Sequence, residues 1–162
     1  MGLALAGRAA ASLETGVGEM KENVTFRLEL ARGFLQEAQQ DFSLHRWRAT
    51  VSHAQLAVEN ALKALIGAFL PVPKTHDPAR VLLELIARQQ IPPRWQNDVQ
   101  QLAEMGRPLG PQLHVQTDYG DEFGGRLPWM LFGEEEASEA LSTAENILAR
   151  VEKLVQEVTH DN

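Results

Sequence analysis

Between Trp47 and Phe69 the apolar residues Trp47, Val51, Ala54, Val58, Ala61, Leu65 and Phe69 recur in steps of four and three. An α-helix turns once every 3.6 residues, so this spacing gathers all of them into one stripe on a single face. A strand would throw alternate members to opposite faces. The spacing therefore predicts a helix over 47–70, ended by Pro71 and Pro73, which cannot continue it. Such a stripe is stable only against other apolar faces, so the chain must supply them.

It does so with the same period. Leu28, Ala31, Leu35, Ala38, Phe42 and His45 share a face in a helix beginning near Phe26. Asp77-Pro78 reads as an N-cap followed by proline at the first helical position, opening a short helix that carries Val81, Leu82, Leu85 and Ile86. Trp95, Val99 and Leu102 align in a fourth segment, from about Arg94 to Met105. A last helix starts at Glu134-Glu135-Glu136, whose charges suit a helix N-terminus, and runs through Leu141, Ala144, Leu148, Val151, Val155 and Val158. No stretch alternates with period two over a useful length. The expected fold is all-α, an up-and-down helical bundle of about five helices.

Two regions fall outside this pattern. Residues 1–25 are rich in Ala and Gly and read as an N-terminal tail or lead-in helix before a bundle over 26–162. Residues 106–133 hold six of the twelve glycines and three of the eight prolines, and read as a long loop.

Composition excludes several chemistries. With no cysteine, thiol catalysis, thiolate metal sites and disulfides are absent. No apolar run is long enough to span a bilayer, and Met1-Gly-Leu-Ala-Leu-Ala-Gly7 lacks the features of a signal peptide. No membrane association is expected, and the location expected is cytoplasmic. The net charge of −7 argues against broad coating of nucleic acid. That total conceals an uneven spread. Residues 46–94 carry seven basic and three acidic groups, a net of +4, whereas residues 95–162 carry four basic and thirteen acidic, a net of −9. An anion would find its best reception in the middle of the chain.

Several residues suggest chemistry. Arg48, Ser52, Gln55, Glu59 and Lys63 form a polar stripe on the second helix, with Glu59 and Lys63 spaced for an i,i+4 ion pair. Periodicity alone assigns that stripe to solvent. His53 lies on a flank of small residues and reads as a hydrogen-bonded structural histidine. Thr75-His76-Asp77 precedes the third helix, where Thr or Asp can cap it. Arg107 and His114, with six residues between them, supply the two groups that cleavage of RNA through its own 2′-hydroxyl requires: a fixed cation for the phosphate and a group that moves protons. Asp118-Tyr-Gly-Asp-Glu122 and Glu157-Val-Thr-His160 each offer metal-ligand types, but neither has a complementing cluster. No metal and no cofactor is expected.

The run Leu30-Ala-Arg-Gly-Phe-Leu-Gln-Glu-Ala-Gln-Gln-Asp41, then Trp47, then Ser52-His-Ala-Gln-Leu-Ala-Val-Glu-Asn-Ala-Leu-Lys-Ala-Leu65, then Lys74-Thr-His-Asp77, together resemble the HEPN family. The resemblance covers residues 28–90 and extends into 134–158. It implies a bundle that forms a homodimer through helix faces, with a cleft lined from both protomers. It implies a nucleotide or RNA ligand and a nucleotidyltransferase partner in a two-gene toxin–antitoxin arrangement. Carried onto this chain, Glu59, Lys63, Thr75, His76 and Asp77 would line or support the cleft, with Lys63 on a phosphate. A subset of the family are metal-independent endoribonucleases using Arg-x4–6-His, a spacing that Arg107 and His114 meet. Pro108 replaces the polar residue that usually follows the arginine, and Gln116 stands where that subset has tyrosine. The endoribonuclease is the alternative reading, and a non-catalytic dimerisation module is a third.

Overall fold

The computed structural model describes residues 3–161. Its elements in chain order are α1 (Leu3–Ser43), α2 (Trp47–Gly67), α3 (Pro78–Ala87), α4 (Pro93–Gly106), a 3-10 turn (Arg107–Leu109), α5 (Pro111–Tyr119), α6 (Pro128–Leu131) and α7 (Glu134–His160). Among the described residues there is no strand, only an isolated antiparallel bridge between Asp121 and Arg126. The fold is the all-α bundle that the spacing predicts, with α5 and α6 added to the five expected helices.

α1 and α2 form the most extensive helix pair, and α7 packs against both. Their reversal is tight: His45 takes a left-handed φ of 56° and the Arg46 N–H donates to the Asp41 carbonyl. Trp47 closes it, lying edge-on to Phe42 at 5.2 Å and stacked on His45 at 5.0 Å. α1 crosses position 25 without a break, so the lead-in and the first bundle helix are one element. Of the expected lead-in, Met1 and Gly2 lie outside the described residues.

α2 is the centre of the bundle. From Ala57 to Gly67 every residue is buried, because α1, α7, α3, α4 and α5 all pack around it. Each fully buried Leu or Ile on it contributes roughly 1.5–3 kcal/mol. The solvated face that periodicity assigns to Gln55, Glu59 and Lys63 is therefore corrected: all three are buried. A polar stripe at helical spacing has the same pattern whether it faces water or a neighbouring element.

The long loop expected over 106–133 is also corrected. It contains the 3-10 turn, α5 and α6. α5 starts on Pro111, a proline at the first helical position, and ends at Gly120 with a φ of 71°. It has no apolar stripe, and Thr117 is its one buried residue, so a test for amphipathic period passes over it. Two contacts fix its place. A Cβ on Gly106 would meet Leu62 Cδ1 at 2.7 Å, so the end of α4 and the turn after it lie close on α2. Arg48 Nη1 donates to the Thr117 carbonyl at 2.9 Å, tying α5 to α2.

Candidate functional site

The site begins on α2, where Gln55, Glu59 and Lys63 succeed one another by one helical turn. Lys63 Nζ donates to Glu59 Oε1 at 2.7 Å, and Gln55 Nε2 donates to Glu59 Oε2 at 3.3 Å. Lys63 is only 7 % exposed. Burial pushes the Glu59 carboxyl up, but the hydrogen bond and charge of Lys63, with the Gln55 and His76 donors, outweigh it and leave Glu59 below the usual carboxylate range. Glu59 is thus an anion held inside the bundle by its neighbours.

One of those neighbours comes from the linker. His76 Nδ1 lies 3.4 Å from Glu59 Oε1, while the side chain as a whole is 89 % exposed. Around it the linker is fixed locally: Thr75 Oγ1 accepts from the Asp77 N–H at 2.9 Å, and Asp77 Oδ1 accepts from the Arg80 N–H at 3.3 Å. The second contact is the α3 N-cap that Asp77-Pro78 forecasts. Thr75, His76 and Asp77 therefore lead from the buried Glu59–Lys63 pair to the surface.

There Asp77 borders an open cavity of about 630 Å³. Arg80 and Leu83 of α3 form one side, Arg107 and Pro108 of the turn another, and Gly110, Pro111, Gln112, Leu113 and Gln116 the third. Arg80 is braced by Glu84 at 2.9 Å. The Arg107 guanidinium makes no hydrogen bond or ion pair with the described residues. Two guanidiniums, two primary amides and the backbone before a helix start form a lining suited to a phosphate or carboxylate.

The fold thus connects six of the seven candidates. Lys63 and His76 both meet Glu59, Thr75 holds Asp77, and Asp77 shares the cavity with Arg107. His114 does not line it: its Nε2 lies 3.8 Å from Asp118 Oδ2 on the next turn of α5. Sequence reasoning missed Arg80, Gln112 and Gln116. For Arg80 a signal was present, since it stands three residues after the capping Asp77. The two glutamines sit on a helix whose existence the pattern does not betray.

His53 has a different task. Its Nδ1 lies 2.6 Å from Asp41 Oδ2 and its Nε2 3.1 Å from Glu37 Oε2, with the ring stacked on Phe34. This joins α1 to α2, in keeping with a structural histidine. Asp121, one of the metal-type residues, is bound within its own turn by the Gly124 N–H and the Arg126 guanidinium, which hold its carboxyl below the usual range. Among the described residues, no group of three or more His, Asp or Glu is arranged to hold a metal ion.

A cysteine-free helical bundle with a cationic cavity beside its third helix is the class that fold and site define. The family model for the HEPN domain matches residues 24–154, and the chain belongs to that family. Among solved structures it is similar to TT1696 from Thermus thermophilus, at 30 % identity and a TM-score of 0.64, over 80 % of this chain and 96 % of that one. No curated protein matches the chain. No helix among the described residues is long and apolar enough to cross a membrane.

Proposed function

We propose that this HEPN protein binds a nucleotide or RNA through a phosphate group seated in the cavity between α3, the 3-10 turn and α5. The observation that carries the reading is Arg107, a guanidinium without a protein partner among the described residues, facing Arg80 and Asp77 across one cavity. Arg107 contacts the phosphate and Arg80 adds charge. Asp77, with Thr75, sets the mouth, and its carboxylate accepts from a sugar hydroxyl or base amine. Lys63 takes a supporting place, since its ammonium is buried against Glu59. Through that pair Glu59 holds His76 beside the mouth. The protein acts as a homodimer and with a nucleotidyltransferase-type partner in a two-gene, toxin–antitoxin-like arrangement, as its family membership suggests.

Binding is favoured over RNA cleavage because the cleavage reading needs His114 beside Arg107, and His114 lies outside the cavity lining. A thermal-shift series with mono-, di- and triphosphate nucleotides and a short single-stranded RNA tests the proposal. A rise in melting temperature that shrinks in Arg107→Ala is expected, and a flat response to every ligand overturns it. Incubating the RNA in excess EDTA with wild type and His114→Ala reads the alternative directly. Cleavage that disappears in the variant would replace binding with catalysis.

A further inference from the structure

Gln112 and Gln116 stand one helical turn apart on α5 and line two open cavities at once. The first is the phosphate cavity. The second, of about 600 Å³, has Val115, Tyr119, Phe123, Leu131 and Phe132 in its wall, so three of its lining side chains are aromatic. Tyr119 is 67 % exposed and Phe123 fully exposed, which leaves both rings open to a ligand. The turn that carries Phe123 is already closed. The Asp121 N–H donates to the Arg126 carbonyl at 2.8 Å and the Arg126 N–H returns the bond at 2.9 Å. The Asp121 carboxylate accepts from the Gly124 N–H and the Arg126 guanidinium, each at 2.9 Å. A ligand entering this recess therefore has no loose loop to order.

The two cavities differ in sign. In the first, Arg80 and Arg107 outnumber Asp77. In the second, Asp121 and Glu122 outnumber Arg126, whose guanidinium is already engaged by Asp121. An anionic group is thus drawn to the arginines and kept out of the aromatic recess. That recess suits a flat, uncharged ring, which gains by stacking on aromatic side chains and asks for no counter-charge. A nucleotide joins the two groups through one ribose, with phosphate at one end and base at the other. Gln112 and Gln116 form the border such a molecule would cross. A purine offers the recess more ring surface than a pyrimidine does.

We infer that the aromatic recess is a base subsite, in which a purine stacks on Tyr119 and Phe123 while its phosphate lies with Arg107 and Arg80. This rests on the phosphate reading given above and narrows it to a purine nucleotide. With the base in the recess, a sugar hydroxyl is the group left for the Asp77 carboxylate.

Tyr119 is the one tyrosine of the chain, so full-length protein labelled with 3-fluorotyrosine gives a single fluorine resonance that reports on the recess. Titration with ADP should move this signal saturably, and inorganic pyrophosphate should leave it in place. By calorimetry ADP should bind about 10-fold more tightly than pyrophosphate, and more tightly than UDP. Phe123→Ala and Tyr119→Ala should each lower ADP affinity by about 10-fold and leave pyrophosphate binding unchanged, which also shows that the phosphate cavity is intact. Tyr119→Phe, which keeps the ring, should bind ADP as wild type does. The same base–phosphate unit occurs in RNA, so a short oligoadenylate runs in parallel. Movement of the signal by either ligand supports the subsite, and the tighter of the two names its source. Equal affinity for ADP and pyrophosphate with an unmoved fluorine signal overturns the base subsite and leaves the phosphate cavity standing. Equal affinity for ADP and UDP overturns the purine assignment. Binding of none of these ligands overturns the phosphate reading as well.

Discussion

Lys63 and Glu59 lie 2.7 Å apart inside the bundle, one helical turn from each other, and neither has more than a tenth of its side chain in water. The pair is neutral as a unit, but each member relies on the other, because an unpaired charge there has no solvent to meet. This gives Lys63→Ala a different expected outcome from the loss of a surface phosphate contact. It should destabilise the fold by about 3–5 kcal/mol in urea titrations. The double variant Lys63→Met/Glu59→Leu should recover most of that loss, since it leaves no orphaned charge.

The same pair makes stability depend on acid. Glu59 has a carboxyl below its unfolded value of 4.5 in the folded protein. The folded state therefore prefers the carboxylate, and its contribution is fully present above about pH 4.5. It is lost as pH falls through the lower folded value. Thermal melts between neutral pH and pH 3 should show this loss in wild type, and Glu59→Gln should remove that part of the slope while lowering stability at pH 7.

His53 bridges Asp41 and Glu37 across the α1–α2 contact, and Arg46 lies 4.0 Å from the same Asp41. Both imidazole nitrogens lie within hydrogen-bonding distance of a carboxylate oxygen on α1. His53→Ala should cost about 1–3 kcal/mol, measured by denaturant unfolding. Nucleotide binding should persist unchanged, because the cluster lies on α1 and α2 and contributes nothing to the Arg107 cavity.

Arg48 anchors α5 through the Thr117 carbonyl and lies over the Trp129 ring at 5.7 Å. Arg48→Ala should loosen α5 locally. Amide exchange should quicken across 111–119, and protection in α7 should change little. Because Gln112 and Gln116 lie on that helix, nucleotide affinity should fall by a few-fold in the same variant.

What the sequence discloses follows from how each feature is encoded. The stripe from Trp47 to Phe69 and the one from Ala137 to Val158 are periodic, so α2 and α7 are legible almost to their ends. Asp77-Pro78 is local chemistry, and the cap forms where it is written. The α5 helix has one buried residue and no stripe, so nothing periodic marks it. The burial of Gln55, Glu59 and Lys63 depends on the path of the 71–77 linker and on the elements packed around α2, which spacing along one helix does not contain. The same holds for the cavity. Arg107 and Asp77 stand out singly in the sequence, but their meeting depends on the close approach of Gly106 to Leu62.

The most direct test of the phosphate cavity is a titration of isotope-labelled protein with ADP, followed through the arginine Nε–Hε signals in nuclear magnetic resonance. The account predicts saturable shifts of the Arg107 and Arg80 signals and of the Gln112 and Gln116 side-chain amides, all lost in Arg107→Ala. Unmoved Arg107 and Arg80 signals, with saturable shifts elsewhere, would contradict it.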